Sequence, residues 1–131
     1  MKNKKNILII GGAGYIGSRL AEELRFFNNV VCLDIFKYPS INLNNVKYIK
    51  QDYGNITKDY LSNFDTIILL AGHSSVRMCD GKSSGIMKNN VFNFVKLLDL
   101  IENQTFIYAS SASVYGNCKY DLAKEETPYD F

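Results

Sequence analysis

The run Ile7-Leu8-Ile9-Ile10-Gly11-Gly12-Ala13-Gly14-Tyr15-Ile16-Gly17 constrains the fold of this 131-residue chain more than any other segment. The apolar residues before the glycines read as a strand buried on both faces. After them, Ile16, Leu20 and Leu24 fall on one side of a helix over residues 15–27. Glycines between a buried strand and a helix mean a tight turn whose backbone N–H groups open at the helix N-terminus. Those donors lack partners within the helix, and the helix dipole adds partial positive charge, so the turn suits a phosphate. Gly11, Gly14 and Gly17 permit the turn, the close approach of a pyrophosphate and tight packing of helix on strand. Tyr15 and Ile16 complete the cradle. Taken alone, such a string also fits a turn with no ligand; the strand before it and the helix after it favour the phosphate.

The rest of the chain alternates apolar strands with helical patterns. Strands are expected over residues 6–10, 30–35, 46–50, 66–71 and 105–109, with a short helix over 57–62 and a long one over 86–102. In the long helix Val91, Val95, Leu98 and Ile101 recur at helical spacing. This is how a parallel sheet of βαβ units reads: an α/β fold, one domain over residues 1–131.

Composition narrows the function classes. A net charge of +2 is too small to argue for nucleic acid, and Lys2, Lys4 and Lys5 read as a solvated tail. The first apolar run is too short for an export signal, and nothing approaches a membrane span, so the expected location is cytoplasmic with no membrane partner. Cys32, Cys79 and Cys118 form no CxxC pair, so no metal is expected; Cys32 reads as a small core residue.

Asp34 closes the second strand, 20 residues after Gly14. There a carboxylate can accept hydrogen bonds from the adenosine ribose hydroxyls, and its charge would repel a 2′-phosphate, favouring NAD over NADP. Capping the following loop is its alternative role.

The glycines are separated by two and two residues, and Gly-Gly-Ala-Gly-Tyr-Ile-Gly resembles the extended branch of the short-chain dehydrogenase/reductase superfamily, the NAD-dependent nucleotide-sugar epimerases and dehydratases. The resemblance continues through Asp52 in Gln51-Asp52-Tyr53, Leu69-Leu70-Ala71-Gly72, Asn90-Val91, and Tyr108-Ala109-Ser110-Ser111-Ala112-Ser113-Val114-Tyr115-Gly116. It implies a Rossmann-type doubly wound parallel sheet of about five strands in the order 3-2-1-4-5. It also implies adenine contact from Asp52 with Tyr53 beside it, a ribose lining from Leu70, Ala71 and Gly72, and a cofactor-side place for Asn90. His73, the sole histidine, follows in a loop that the resemblance carries past the nicotinamide and pyrophosphate. Arg77 in that loop either reaches a phosphate or is solvated.

For catalysis the resemblance implies that Ser111 hydrogen-bonds the sugar hydroxyl or carbonyl, while a tyrosine acts as acid/base and a lysine four residues later lowers its pKa. A phenol removes a carbinol proton near neutrality only when cations stabilise the phenolate. Ser111 capping a turn is the alternative. Tyr115 belongs to the Val-Tyr-Gly signature and is not the expected base. Tyr120-Asp121-Leu122-Ala123-Lys124 has the required spacing but follows Ser111 by only nine residues, so the working pair is expected beyond Phe131. On that expectation the chain is the N-terminal part of a longer enzyme, truncated before the catalytic helix and substrate domain and inactive alone. Family dehydratases carry an acidic pair where this chain has Ala112 and Ser113, which disfavours dehydration. The expected activity is epimerisation or oxidoreduction of a UDP- or dTDP-sugar; for a homodimer, the resemblance implies a surface on the helix near Phe94 to Leu98 together with the catalytic helix. A stand-alone NAD-binding module or sensor is the reading from another class.

Overall fold

In the computed structural model, which describes residues 3–37, 43–74, 83–116 and 122–128, the first apolar run is strand β1 (Asn6–Ile10). The helix after the glycines is α1 (Tyr15–Leu24), shorter at its C-terminus than expected. Strands β2 (Asn29–Asp34), β3 (Val46–Lys50), β4 (Thr66–Leu69) and β5 (Thr105–Tyr108) complete one five-stranded sheet. Its order is β3-β2-β1-β4-β5 and every pairing is parallel, the Rossmann-type order implied by the resemblance. Register is tight at the C-terminal ends, where Ile10 stands opposite both Leu33 and Leu69.

Period-two alternation sends successive β1 side chains to opposite layers. Ile7 and Ile9 join Val30, Cys32 and Ile68 beneath Ala21 of α1. Leu8 and Ile10 join Leu33, Ile67 and Leu69 in the larger layer, against Tyr53, Ile56, Leu61, Phe64 and Leu97. Each fully buried Leu or Ile contributes roughly 1.5–3 kcal/mol. A short helix α2 (Lys58–Leu61) follows its N-cap Thr57, whose hydroxyl accepts from Tyr60 N at 3.3 Å.

Two apolar stripes depart from the sequence expectation, the first in one residue only. Ile16 of α1 is 63% exposed, while Leu20 and Leu24 pack on the core as expected, beside the buried Gly17 and Ala21. The expected long helix is a rod in three pieces: α3 (Ser83–Ile86), a π-helical segment (Met87–Phe92) and α4 (Asn93–Leu100). Val91, Val95 and Leu98 are exposed, whereas Asn93 and Leu97 are buried and Phe94, Leu100 and Ile101 pack on the core. The rod carries two apolar stripes, and the one containing Asn93 wins because that amide finds Asp52 inside. At the sheet edge, Ile107 and Tyr108 of β5 are about half exposed. Among the described residues no helix is long and apolar enough to cross a membrane.

Candidate functional site

Parallel strands point their C-terminal ends to one side of the sheet, and the crevice there is where the glycine turn sits. Gly11 has φ +87°, closed to most side chains, and a Cβ on it would lie 2.6 Å from Ala71 N. Gly12 is held as tightly: a Cβ there would stand 2.5 Å from Cys32 Cβ. Gly14 is the N-cap of α1, with no side-chain cap and no acidic residue in the first turn. The helix therefore opens uncapped into the crevice.

That crevice has two connected parts. The larger, about 740 Å³, is lined by Gly11, Gly14, Tyr15, Ile16 and Gly17 on one side, Leu70, Ala71, Gly72 and His73 below, and Tyr53, Asn90, Phe94, Tyr108 and Ser111 opposite. The smaller, about 220 Å³, shares Gly11, Gly14, Tyr53 and Leu70 to His73 and adds Asp34 and Asp52. Among the described residues, every one singled out in the sequence for cofactor binding or catalysis lines one part or the other. Arg77, Cys79, Cys118 and Tyr120 lie outside the described residues.

Asp34 is half-buried and uses both carboxylate oxygens on backbone donors. Oδ2 accepts from Ala13 N at 3.1 Å, and Oδ1 accepts from Phe36 N at 3.0 Å. The first bond ties the glycine turn to the end of β2. The second is the loop cap weighed above, and it holds Phe36 at φ +52°, a conformation that disfavours a bulky side chain. Asp52 caps the 3-10 turn Tyr53–Asn55 through Gly54 N at 2.8 Å and accepts from Asn93 Nδ2 at 3.3 Å.

Across the crevice, Asn90 behaves like a strand. Its Oδ1 accepts from His73 N and its Nδ2 donates to His73 O, both at 3.0 Å, which fixes the loop leaving β4. Asn89, not singled out in the sequence, donates from Nδ2 to Asn90 Oδ1 at 2.9 Å and faces His73 Nδ1 at 3.4 Å. Ser111 caps the 3-10 turn Ala112–Tyr115, its Oγ accepting from Ser113 N at 3.2 Å, and it is exposed to the larger cleft. Tyr115 and Lys119 also stand four residues apart; Tyr115 lines neither part of the crevice, and Lys119 lies outside the described residues. Phe94 and Tyr108, 4.9 Å between ring centroids, form an aromatic wall that residue-type reasoning missed.

The family model for the NAD dependent epimerase/dehydratase family matches residues 7–130. The chain belongs to this family. NAD is the family's cofactor, as the glycine spacing and Asp34 implied. The chain is 33% identical over 141 residues to a trifunctional UDP-glucose 4,6-dehydratase/UDP-4-keto-6-deoxy-D-glucose 3,5-epimerase/UDP-4-keto-L-rhamnose-reductase of Arabidopsis thaliana, covering 91% of this chain and 21% of that one. It is 33% identical over 135 residues to the ADP-L-glycero-D-manno-heptose-6-epimerase of Brachyspira hyodysenteriae, covering 92% and 41%. In structure it is similar to the UDP-N-acetylglucosamine 4-epimerase of Methanobrevibacter ruminantium, with a TM-score of 0.80, 26% identity, and coverage of 97% of this chain and 44% of that one. The chain thus spans less than half the length of each.

The residues present fit NAD. A Cβ on Gly14 would meet one protein atom within 4 Å, the Gly11 carbonyl at 3.2 Å, so the remaining space above the uncapped helix end is open to a pyrophosphate.

Proposed function

We propose that this chain forms the NAD-binding part of a nucleotide-sugar epimerase or oxidoreductase. One observation carries the reading: the uncapped N-terminus of α1, floored by Gly14, opens into the same cleft that Ser111 lines from the end of β5. The pyrophosphate would lie on the backbone N–H groups of the first turn of α1, which the dipole makes favourable. Asp34 and Asp52, together in the smaller part of the crevice, would hold the adenosine end. Asp34 keeps lone pairs free beside its two backbone bonds, and its negative charge selects against a 2′-phosphate.

When bound, NAD supplies a nicotinamide that takes a hydride from a sugar carbon and returns it. The chain's own part is orientation. Ser111 donates to the sugar hydroxyl or carbonyl, while Ala112 and Ser113 beside it offer no carboxylic acid for expelling water. This favours epimerisation or simple oxidoreduction of a UDP- or dTDP-sugar over dehydration. Proton removal falls to a Tyr–Lys pair supplied beyond the residues that line this crevice, so residues 1–131 by themselves are expected to be inactive. The exposed stripe of Val91, Val95 and Leu98 is the surface offered to a second copy.

Thermal unfolding with added dinucleotide tests the cofactor assignment. NAD⁺ at about a hundred times its dissociation constant adds about 2.7 kcal/mol and raises the melting temperature by several degrees. NADP⁺ at the same concentration should raise it much less. Equal shifts would remove the role given to Asp34, and no shift with either would overturn the cofactor reading.

A further inference from the structure

The rod from residue 83 to residue 100 is α-helical at both ends and π-helical between, over Met87–Phe92. A π turn carries an extra residue per turn, is rare, and marks functional sites when it occurs. Contacts from outside the helix must hold it. Three come from the short turn after β3. Asp52 accepts from Asn93 Nδ2 and Gly54 O accepts from Lys96 Nζ at 2.5 Å, both beyond the π segment. Of these three only Tyr53 reaches inside it, where His73 also meets Asn89 and Asn90: its ring is buried at 6% exposure and its hydroxyl donates to the Asn89 carbonyl.

What the π segment delivers is a pair of adjacent asparagines working on one residue. On a regular helix, neighbours point about 100° apart. Here Asn89 and Asn90 bond each other, and both face His73, one at the imidazole and one at the backbone. We propose that Tyr53 is a positioning residue: by holding the Asn89 carbonyl it maintains the π turn that brings Asn89 and Asn90 to His73, and so shapes the loop lining both parts of the cofactor crevice. It acts through the helix; no contact of Tyr53 with the cofactor is needed. Its effect on affinity rests on the NAD reading above; its effect on His73 does not.

His73 is the only histidine, so its ring gives a single set of nitrogen resonances. Asn89 Nδ2 is a donor, already giving one hydrogen to Asn90 Oδ1, so a neutral His73 ring that bonds it must accept at Nδ1 and carry its proton on Nε2. The test is Tyr53→Phe, which keeps the ring and deletes the hydroxyl. Nitrogen-correlated NMR of the neutral imidazole should give one tautomer, protonated at Nε2, in the wild type and a mixture in Y53F. NAD⁺ titration should give binding about tenfold weaker in Y53F. An unchanged tautomer overturns the proposal, including the case in which affinity alone falls, since that would make Tyr53 a direct contact. A wild type that binds no NAD⁺ overturns the cofactor reading, and the tautomer comparison still decides this one. Should Y53F fail to fold, the wild type decides: the Tyr53 hydroxyl proton must exchange slowly and show proximity to Asn89 and Asn90, and its absence overturns the proposal.

Discussion

A methyl group on Gly17 would collide with the Gly11 carbonyl and stand 2.8 Å from Gly12 Cα, whereas one on Gly14 would meet only the Gly11 carbonyl at 3.2 Å. The two glycines are therefore constrained differently: Gly17 by the protein around it, and Gly14, on the proposed reading, by the pyrophosphate. Gly17→Ala should cost about 1–3 kcal/mol of stability through overpacking. Gly14→Ala should stay within about 1 kcal/mol of wild type, because its φ of −72° suits alanine. The same variant should bind NAD⁺ about tenfold more weakly or worse. Urea unfolding paired with NAD⁺ titration checks both, and a Gly14→Ala protein that binds as wild type contradicts the assignment. The turn itself was legible because strand, glycines and helix are contiguous. Gly12 was not legible, since the Cys32 side chain that forbids a Cβ there comes from another strand.

Cys32 links that packing to pH. Burial, with the Asp34 charge nearby, pushes its thiol from 9.0 up to about 12. Burial chiefly, then the charge of Asp52, pushes the Tyr53 phenol from 10.0 to about 12. In both cases the folded state keeps a proton that the unfolded chain releases. Their contribution to stability is complete below pH 9 and is lost progressively as the pH rises toward 12. The loss runs at up to about 1.4 kcal/mol per pH unit for each group. Urea midpoints at pH 8 and pH 10 should differ accordingly, with Cys32→Ala shallower over that interval; a flat profile contradicts the burial of Cys32.

At the scale of elements, all five strands and the turn from β1 into α1 were readable from pattern, and the facing of the long helix was not. Val91, Val95 and Leu98 keep helical spacing with Ile101 as well as Phe94 and Leu97 do, and of that expected stripe Ile101 alone packs on the core. Hydrophobicity alone cannot choose between two stripes. The choice is made by Asn93, a polar residue taken inside by Asp52, and by a π turn that no residue type announces. Leu97→Ala should therefore cost about 2–5 kcal/mol as a core truncation, while Val95→Ser should stay within about 0.5 kcal/mol. Chemical denaturation of the two variants checks this, and similar losses for both would mean that the other stripe faces the sheet.

For the whole molecule, topology does what no single motif does. Parallel pairing with crossover connections brings the ends of β1, β2 and β4 to one crevice, so residues as far apart as Gly14, Asp34, Asp52, His73 and Ser111 line its two connected parts. The resemblance in sequence named most of these residues; the aromatic pair Phe94 and Tyr108 and the Asn89 contact needed the fold, because each depends on the facing of the long helix. The central claim is that this crevice holds NAD. Amide chemical-shift mapping of isotope-labelled chain titrated with NAD⁺ tests it most directly. The account predicts the largest saturable shifts at residues 11–17, with further shifts at Asp34, Asp52, His73 and Ser111; shifts that fall elsewhere, or none at millimolar NAD⁺, would contradict it.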